Sequence, residues 1–372
     1  MALLKLVAAN DTFGALVAMT DVLDGKLALF VTAPEVNGKM PETFGLPDEA
    51  PEGVALIVES SGSTGTPKRI EISREALLES ANASALALGS FEGTAQWLLA
   101  LPLNYIAGLN VLARSVLAGT QPVMLNTSVP FTPEAFSNSV RHMTGDRRYT
   151  SLVPTQLARL AKAIDQDEFL LSQLRRFDAI LVGGQAPQDE VVQKLRALDV
   201  NIVITYGMTE TCGGCVYNSQ PLAGVELKTV EGRIVIRGSV LANVETDSDG
   251  FYLTNDEGIV YADGRLEVLG RIDRVIVSGG IKISLDRVEQ LAAQVAGVAE
   301  LAASAIDDSE WGQRVGIVFV GSPEVSEDIA SALADDLGPA GRPVRILRID
   351  ALPKLNSGKH DLLAIKQIFE EN

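Results

Sequence analysis

Between about residues 77 and 240 the chain alternates helical patterns with short apolar runs at residues 97–101, 122–125, 179–182 and 201–205. Strands this short and this apolar, separated by helix-length segments, are covered on both faces, so the pattern predicts a layered α/β domain with a largely parallel sheet. Beyond it come turn signals, Asp249-Gly250 and Asp263-Gly264, flanked by the strand formers Phe251, Tyr252, Val260 and Tyr261. These predict hairpins that close the large domain. From Arg271 the sequence starts afresh. The remainder reads as a small α+β lid, with strands at 301–306, 314–320 and 344–349 and helices at 285–295, 326–337 and 362–369. The expected domains are therefore 1–270 and 271–372, joined by a short linker.

The 372 residues, 47% of them hydrophobic, suffice for cores in two such units. A balance of 48 acidic to 31 basic residues, net −17, argues against nonspecific binding to nucleic acid or anionic membrane, which clustered cations drive. An anionic substrate must be drawn in by local groups. The start, MALLKLVAANDTFG, lacks the layout of a secretion signal, and the most apolar stretch, residues 97–125, is broken by Pro102, Asn104, Asn110 and Arg114. A cytoplasmic protein without membrane insertion is expected, and a homodimer is left open. Cys212 and Cys215 form a CxxC, readable as a redox pair, as half of a zinc site, or as two small residues packed in a turn. With only His142 and His360 in the chain, a four-ligand zinc site would consume every Cys and His, and no histidine stands in the context of a serine hydrolase.

Residues 60–68, SSGSTGTPK, lie between the apolar strand patterns 54–58 and 69–72. Gly62 and Gly65 admit backbone conformations in which N–H groups converge on an anion, Ser61, Ser63 and Thr64 supply hydroxyls, and Lys68 adds a positive charge. This predicts a phosphate-holding hairpin, with a flexible loop as the plain alternative; the spacing is not that of a P-loop. A second polar cluster, TYGMTETCGG at 205–214, follows an apolar strand and so falls at a strand's carboxyl end, where open α/β sheets bind ligands. Thr209 and Glu210 are there as phosphate and magnesium contacts, Glu210 being alternatively a structural cap. The TNDEG segment, read as a turn, offers Asp256, whose carboxylate can accept from both hydroxyls of a ribose or serve as an ordinary turn acid. PKLNSGKHD places Lys359 on a loop before the last helix, where its ammonium could reach a substrate or simply sit at the surface.

In this order and spacing the segments resemble the acyl-adenylate-forming superfamily of acyl-CoA ligases, peptide-synthetase adenylation domains and luciferases, over nearly the whole chain. SSGSTGTPK is similar to that family's phosphate loop, YGMTE to its magnesium and adenylate motif, TND with GRID to its ribose-binding aspartate and hinge, and NSGK to its catalytic lysine loop. The resemblance implies ATP contacts from Ser61, Gly62, Ser63, Thr64, Gly65, Lys68, Gly184, Gln185, Tyr206, Gly207, Thr209, Asp256, Arg271 and Lys359. It implies a catalytic set of Lys359, Thr209 and Glu210, with Glu210 as the magnesium ligand.

The implied chemistry has two halves. A substrate carboxylate attacks the α-phosphate of ATP with Lys359 beside the developing charge; the small domain then swings about Asp273, and Gly279 and Gly280 admit the pantetheine arm of coenzyme A. Within the superfamily, YGMTETCGG and the short chain look most like the ligases that activate o-succinylbenzoate for menaquinone biosynthesis, an acid with one carboxylate to activate and one to anchor. LPLNYIAGLNVLARSVLAG resembles the family's pocket helix, on which Asn110 and Arg114 share a face. Arg114 is the candidate anchor, with an internal Asp or Glu partner as the alternative. LVGGQAP resembles the segment lining the acyl and adenine pockets, so Gly183 and Gly184 join the acyl-site candidates, with a plain turn as the alternative, as does Asn104 of the pocket-helix stretch. Departures from the family pattern are a shortened first subdomain, Asn104 and Tyr105 where a histidine is common, Asn255 where glycine is usual, and His360-Asp361 after the lysine. A ligase for another acid, a carrier-protein adenylation enzyme, or a nucleotide-binding regulator without catalysis remain open.

Overall fold

The structure is a computed structural model that describes residues 1–43, 45–60, 68–90, 95–355 and 359–371. Its contacts divide the chain into two compact units, one of 1–227 with 236–252, the other of 228–235 with 253–372. Among the described residues, no helix is long and apolar enough to cross a membrane.

The first unit holds two sheets. One is ordered Glu49–Ala50, Ala2–Ala8, Ala28–Thr32, Val54–Ser60, Lys68–Ser73. Ala2–Ala8 and Ala28–Thr32 run parallel with helix Thr12–Leu23 between them in sequence, so the α/β alternation begins at the first residues rather than near Leu77. Val54–Ser60 and Lys68–Ser73 form the antiparallel hairpin expected around SSGSTGTPK, closed by the Ser60 and Lys68 pair. Ser61, Gly62, Ser63, Thr64 and Gly65 lie outside the described residues.

The second sheet is ordered Gln220–Pro221, Gly213–Tyr217, Ile202–Met208, Ala179–Val182, Arg147–Leu152, Ala95–Leu99, Val123–Met124. The last five strands in that order are parallel, and the first two are antiparallel additions. One apolar cluster packs Leu98, Ile180 and Val182 of the sheet against Phe136, Leu160, Leu174 and Leu195 of the covering helices. Helix Arg74–Leu88 is started by the Ser73 side chain, which accepts from Ala76 N–H, and stopped by Gly89 at φ 62°. Helix Ile106–Leu117 is buried nearly all round, Asn110 and Arg114 included, as an apolar sequence without a polar face must be.

Tyr252–Val260 and Leu266–Arg271 pair antiparallel across the Asp263-Gly264 turn, so this hairpin is as expected, although from Leu253 onward its contacts group it with the second unit. Asp249-Gly250 instead ends a longer connection, residues 238–251, whose turn is held by Asp247 accepting from the Asp249 and Phe251 N–H groups. A five-stranded sheet follows. Val275–Ser278 pairs with Ile281–Ser284 and with Gly312–Gly321, which pairs in turn with Val298–Asp308 and, in parallel, with Arg345–Arg348. Helices Leu285–Ala292, Ser326–Leu337 and Leu362–Glu371 stand close to their expected spans.

Candidate active site

The parallel register of Ile180 with Ile202 and of Val182 with Ile204 brings the segments after two neighbouring strands side by side at their carboxyl ends. Gly183 lies against Thr205: a Cβ on it would stand 2.2 Å from Thr205 Oγ1, so close strand packing alone requires glycine there. Gly184 and Gln185 follow, exposed. Tyr206, Gly207 and Thr209 are half-buried, and the ladder to Gly213–Tyr217 carries a bulge between Tyr206 and Gly207 that ends regular pairing before the polar turn. Thr209–Thr211 forms that turn, with Thr211 Oγ1 accepting from Met208 N–H at 2.9 Å and donating to Gly213 O at 2.7 Å. The Glu210 backbone carbonyl accepts from Ala242 N–H at 2.9 Å, whereas its side chain makes no hydrogen bond or ion pair among the described residues. A half-buried carboxylate without a partner among the described residues, at a sheet's carboxyl end, suits a magnesium ion.

Behind this turn, helix Ile106–Leu117 presents Asn110 to the end of the turn and Arg114 to the strand Gly213–Tyr217. Asn110 Nδ2 donates to Cys212 O at 2.8 Å, joined there by Ser80 Oγ at 3.1 Å, so Asn110 holds the backbone just after Glu210. Arg114 Nη2 donates to the Tyr217 hydroxyl at 3.2 Å, and that hydroxyl meets Ser84 Oγ at 2.9 Å. The guanidinium carbon stands 5.1 Å from the Trp97 ring centroid. Arg114 is 8% exposed, its Nε is buried with no partner, and no carboxylate pairs with it among the described residues. The internal Asp or Glu that would make it purely structural is absent from that set. Asn104 Oδ1 is also buried without a partner among the described residues. Sequence reading missed Tyr217, Trp97 and Ser84. Both cysteines are free and buried, and burial pushes each thiol up to about 12, which leaves them protonated at neutral pH.

In the second unit, Asp256 lies in a strand rather than a turn and sits directly opposite Arg271 in the ladder, with a bulge just after it between Glu257 and Gly258. Arg271 forms a two-bond pair with Asp273, at 2.7 and 2.6 Å, which holds the Asp273 carboxyl below its usual value. Arg271 N–H also donates to Asp286 at 2.6 Å, and Asp286 pairs with Arg274, contacts that sequence reading did not foresee. Gly279 and Gly280, at φ 57° and 83°, make the tight turn between Val275–Ser278 and Ile281–Ser284. The Trp311 ring packs where a Gly279 Cβ would lie, 2.6 Å from its nearest atom. Lys359 is exposed, flanked by the bridge of Lys354 to His360 and by Leu355 N–H donating to Lys359 O at 2.9 Å. Burial holds His360 below the usual histidine value.

Residues 8–270 match the sequence model of the AMP-binding enzyme family, and residues 287–359 match that of the AMP-binding enzyme C-terminal domain. The chain belongs to the AMP-binding enzyme family. Among curated members of the family, a probable 2-succinylbenzoate–CoA ligase of Mycobacterium tuberculosis strain H37Rv is 35% identical, covering 99% of this chain and 98% of that protein. The 2-succinylbenzoate–CoA ligase of Lactococcus lactis is 28% identical over 91% of this chain and 77% of its own. Among solved structures, o-succinylbenzoate CoA synthetase from Bacillus subtilis in complex with its acyl-adenylate intermediate superposes with a TM-score of 0.74 at 23% identity, covering 97% of this chain and 83% of that one. The fold of this AMP-binding enzyme is thus the adenylate-forming one, a large N-terminal domain followed by a small C-terminal domain.

Proposed function

We propose that this enzyme is an o-succinylbenzoate–CoA ligase, which activates the acid with ATP to an acyl-adenylate and passes the acyl group to coenzyme A, releasing pyrophosphate and AMP. The observation that carries the substrate assignment is Arg114, a buried guanidinium with an aromatic wall and no carboxylate partner among the described residues, as an anchor for a second substrate carboxylate requires. Full-length likeness to a curated ligase for that acid supports the same reading.

In this reading the segment from Ser61 to Gly65 and Lys68 hold the phosphates, with Gly184, Gln185, Tyr206, Gly207 and Thr209 around the nucleotide. Asp256 takes the ribose hydroxyls beside Arg271, and Asn104, Gly183 and Gly184 line the acyl pocket with Arg114. Glu210 would hold the magnesium ion, which when bound neutralises phosphate charge. Lys359 stabilises the charge that develops as the carboxylate attacks. We place the functional boundary at residue 270 and the hinge at Asp273; rotation there would withdraw Lys359 and present Gly279 and Gly280 to coenzyme A. The reaction belongs in the cytoplasm, where ATP and coenzyme A are supplied.

The test is pyrophosphate release from ATP and magnesium across a panel of acids, with and without coenzyme A. Release confined to o-succinylbenzoate, with thioester formed only on adding coenzyme A, is expected. Release with a different acid overturns the substrate, transfer to a carrier protein in place of free coenzyme A overturns the acceptor, and no release with any acid overturns the enzyme assignment.

A further inference from the structure

Lys359 lies in the segment 352–362, whose two ends are fixed in different ways. On the entering side, Leu352 is 5% exposed and packs with Ala302, Val318, Ile365 and Phe369. On the leaving side, Asp361 Oδ1 accepts from Ala364 N–H at 3.1 Å at the start of helix Leu362–Glu371, which is anchored by Ile365 and Phe369 in the same cluster. The neck is closed by backbone bonds: Asp361 N–H donates to Pro353 O at 3.0 Å, and Lys354 bridges His360.

One side-chain contact ties this neck to the sheet. Lys354 Nζ donates to Glu300 Oε1 at 2.6 Å. Glu300 lies in the long strand Val298–Asp308, paired with Val320 just after an irregularity in the register between Val298 and Glu300. The two side chains are 23% and 33% exposed, too wet for the pair to matter much to global stability, yet short and direct enough to fix the neck's position. A contact of that kind contributes geometry rather than folding energy.

We propose that Lys354 and Glu300 are a positioning pair for Lys359 in the adenylation step. The proposal rests on the reading of Lys359 given above. Without the tether the neck can shift on the sheet by the small distance that matters to a group which must meet a developing charge, while the apolar anchors and the backbone bridge hold the neck together. The half-reaction that does not use Lys359 should be indifferent to it.

The experiment compares Lys354→Met, Glu300→Gln, Lys354→Arg and Lys359→Ala in the full-length enzyme. Pyrophosphate release from ATP and o-succinylbenzoate reports the first step, and consumption of coenzyme A with supplied acyl-adenylate reports the second. Lys354→Met and Glu300→Gln should each lower kcat of the first step by about 10- to 100-fold, the range that a small misplacement costs, with both KM values and the second step within about twofold of wild type. Lys354→Arg should recover most of the rate, and thermal melting should not move. Equal loss in both steps, an unchanged first step, or a raised KM for ATP at constant kcat, which marks direct contact with the nucleotide, would each overturn the pairing. Lys359→Ala separates the two levels: if it fails to act selectively on the first step, the assignment of Lys359 itself falls, whatever the tether variants do.

Discussion

Replacing Arg114 by Leu removes a charge whose surroundings give two opposing expectations, one for binding and one for folding. Among the described residues the guanidinium, on a residue 8% exposed, donates to Tyr217 at 3.2 Å, faces Trp97 at 5.1 Å, and leaves Nε without a partner. Burying such an ion costs several kcal/mol after relaxation. Against this stand about 2 kcal/mol from a desolvated cation–π contact and about 1.5–3 kcal/mol from a hydrogen bond made by a charged donor. The terms nearly cancel in the free enzyme, so Arg114→Leu should hold Tm or raise it by about 2–4 °C for each kcal/mol of net relief. Tyr217 keeps its contact with Ser84. In the complex, the second carboxylate of the substrate loses a charge-assisted bond of about 1.5–3 kcal/mol, which raises KM for o-succinylbenzoate about 10- to 150-fold while KM for ATP stays put. Steady-state kinetics with the diacid, and with an analogue lacking the anchoring carboxylate, form a cycle in which only the diacid should feel the substitution. A fall in Tm accompanied by equal losses for both acids would show that the guanidinium serves packing, and the anchoring argument would be wrong.

Two further perturbations address the nucleotide site and the buried thiols. Asp256→Asn should raise KM for ATP about tenfold, the value of one hydrogen bond to a charged acceptor, and leave KM for the acid alone; an effect on the acid instead would remove Asp256 from the ribose. The thiols of Cys212 and Cys215 titrate near 9 in the unfolded chain and are pushed up to about 12 by burial, so the unfolded state releases their protons first as pH rises. Stability should therefore fall as pH rises from about 9 towards 12, and denaturant titrations of Cys212→Ala and Cys215→Ala should each flatten that slope; an unaltered slope would place the alkaline transition elsewhere.

What could be read from the sequence was what local pattern encodes. The run at 179–182 became a strand with those limits because four apolar residues flanked by Asp178 and Gly183 leave little choice, and the hairpin at Asp263-Gly264 follows from the turn's own chemistry. The unit made by Ala2–Ala8, Thr12–Leu23 and Ala28–Thr32 went unread because its helix is apolar on several sides and offers no clear 3.6-residue stripe. At residues 254–258 the Asn, Asp and Gly composition that suggested a turn marks a bulge in a strand, and Gly258 is there because a Cβ would stand 2.5 Å from Glu267 O. Local pattern is silent on which polar side chains meet across the fold. Arg114 stands out in sequence as a charge among apolar neighbours, but Tyr217, 103 residues away, is what orients it. Lys354 shows no such signal, and its partner Glu300 is 54 residues distant. The candidate reacting groups could thus be named from motif chemistry, whereas the contacts that aim them depend on strand register and sheet order, which decide whether a carboxylate such as Glu300 lies under a particular lysine.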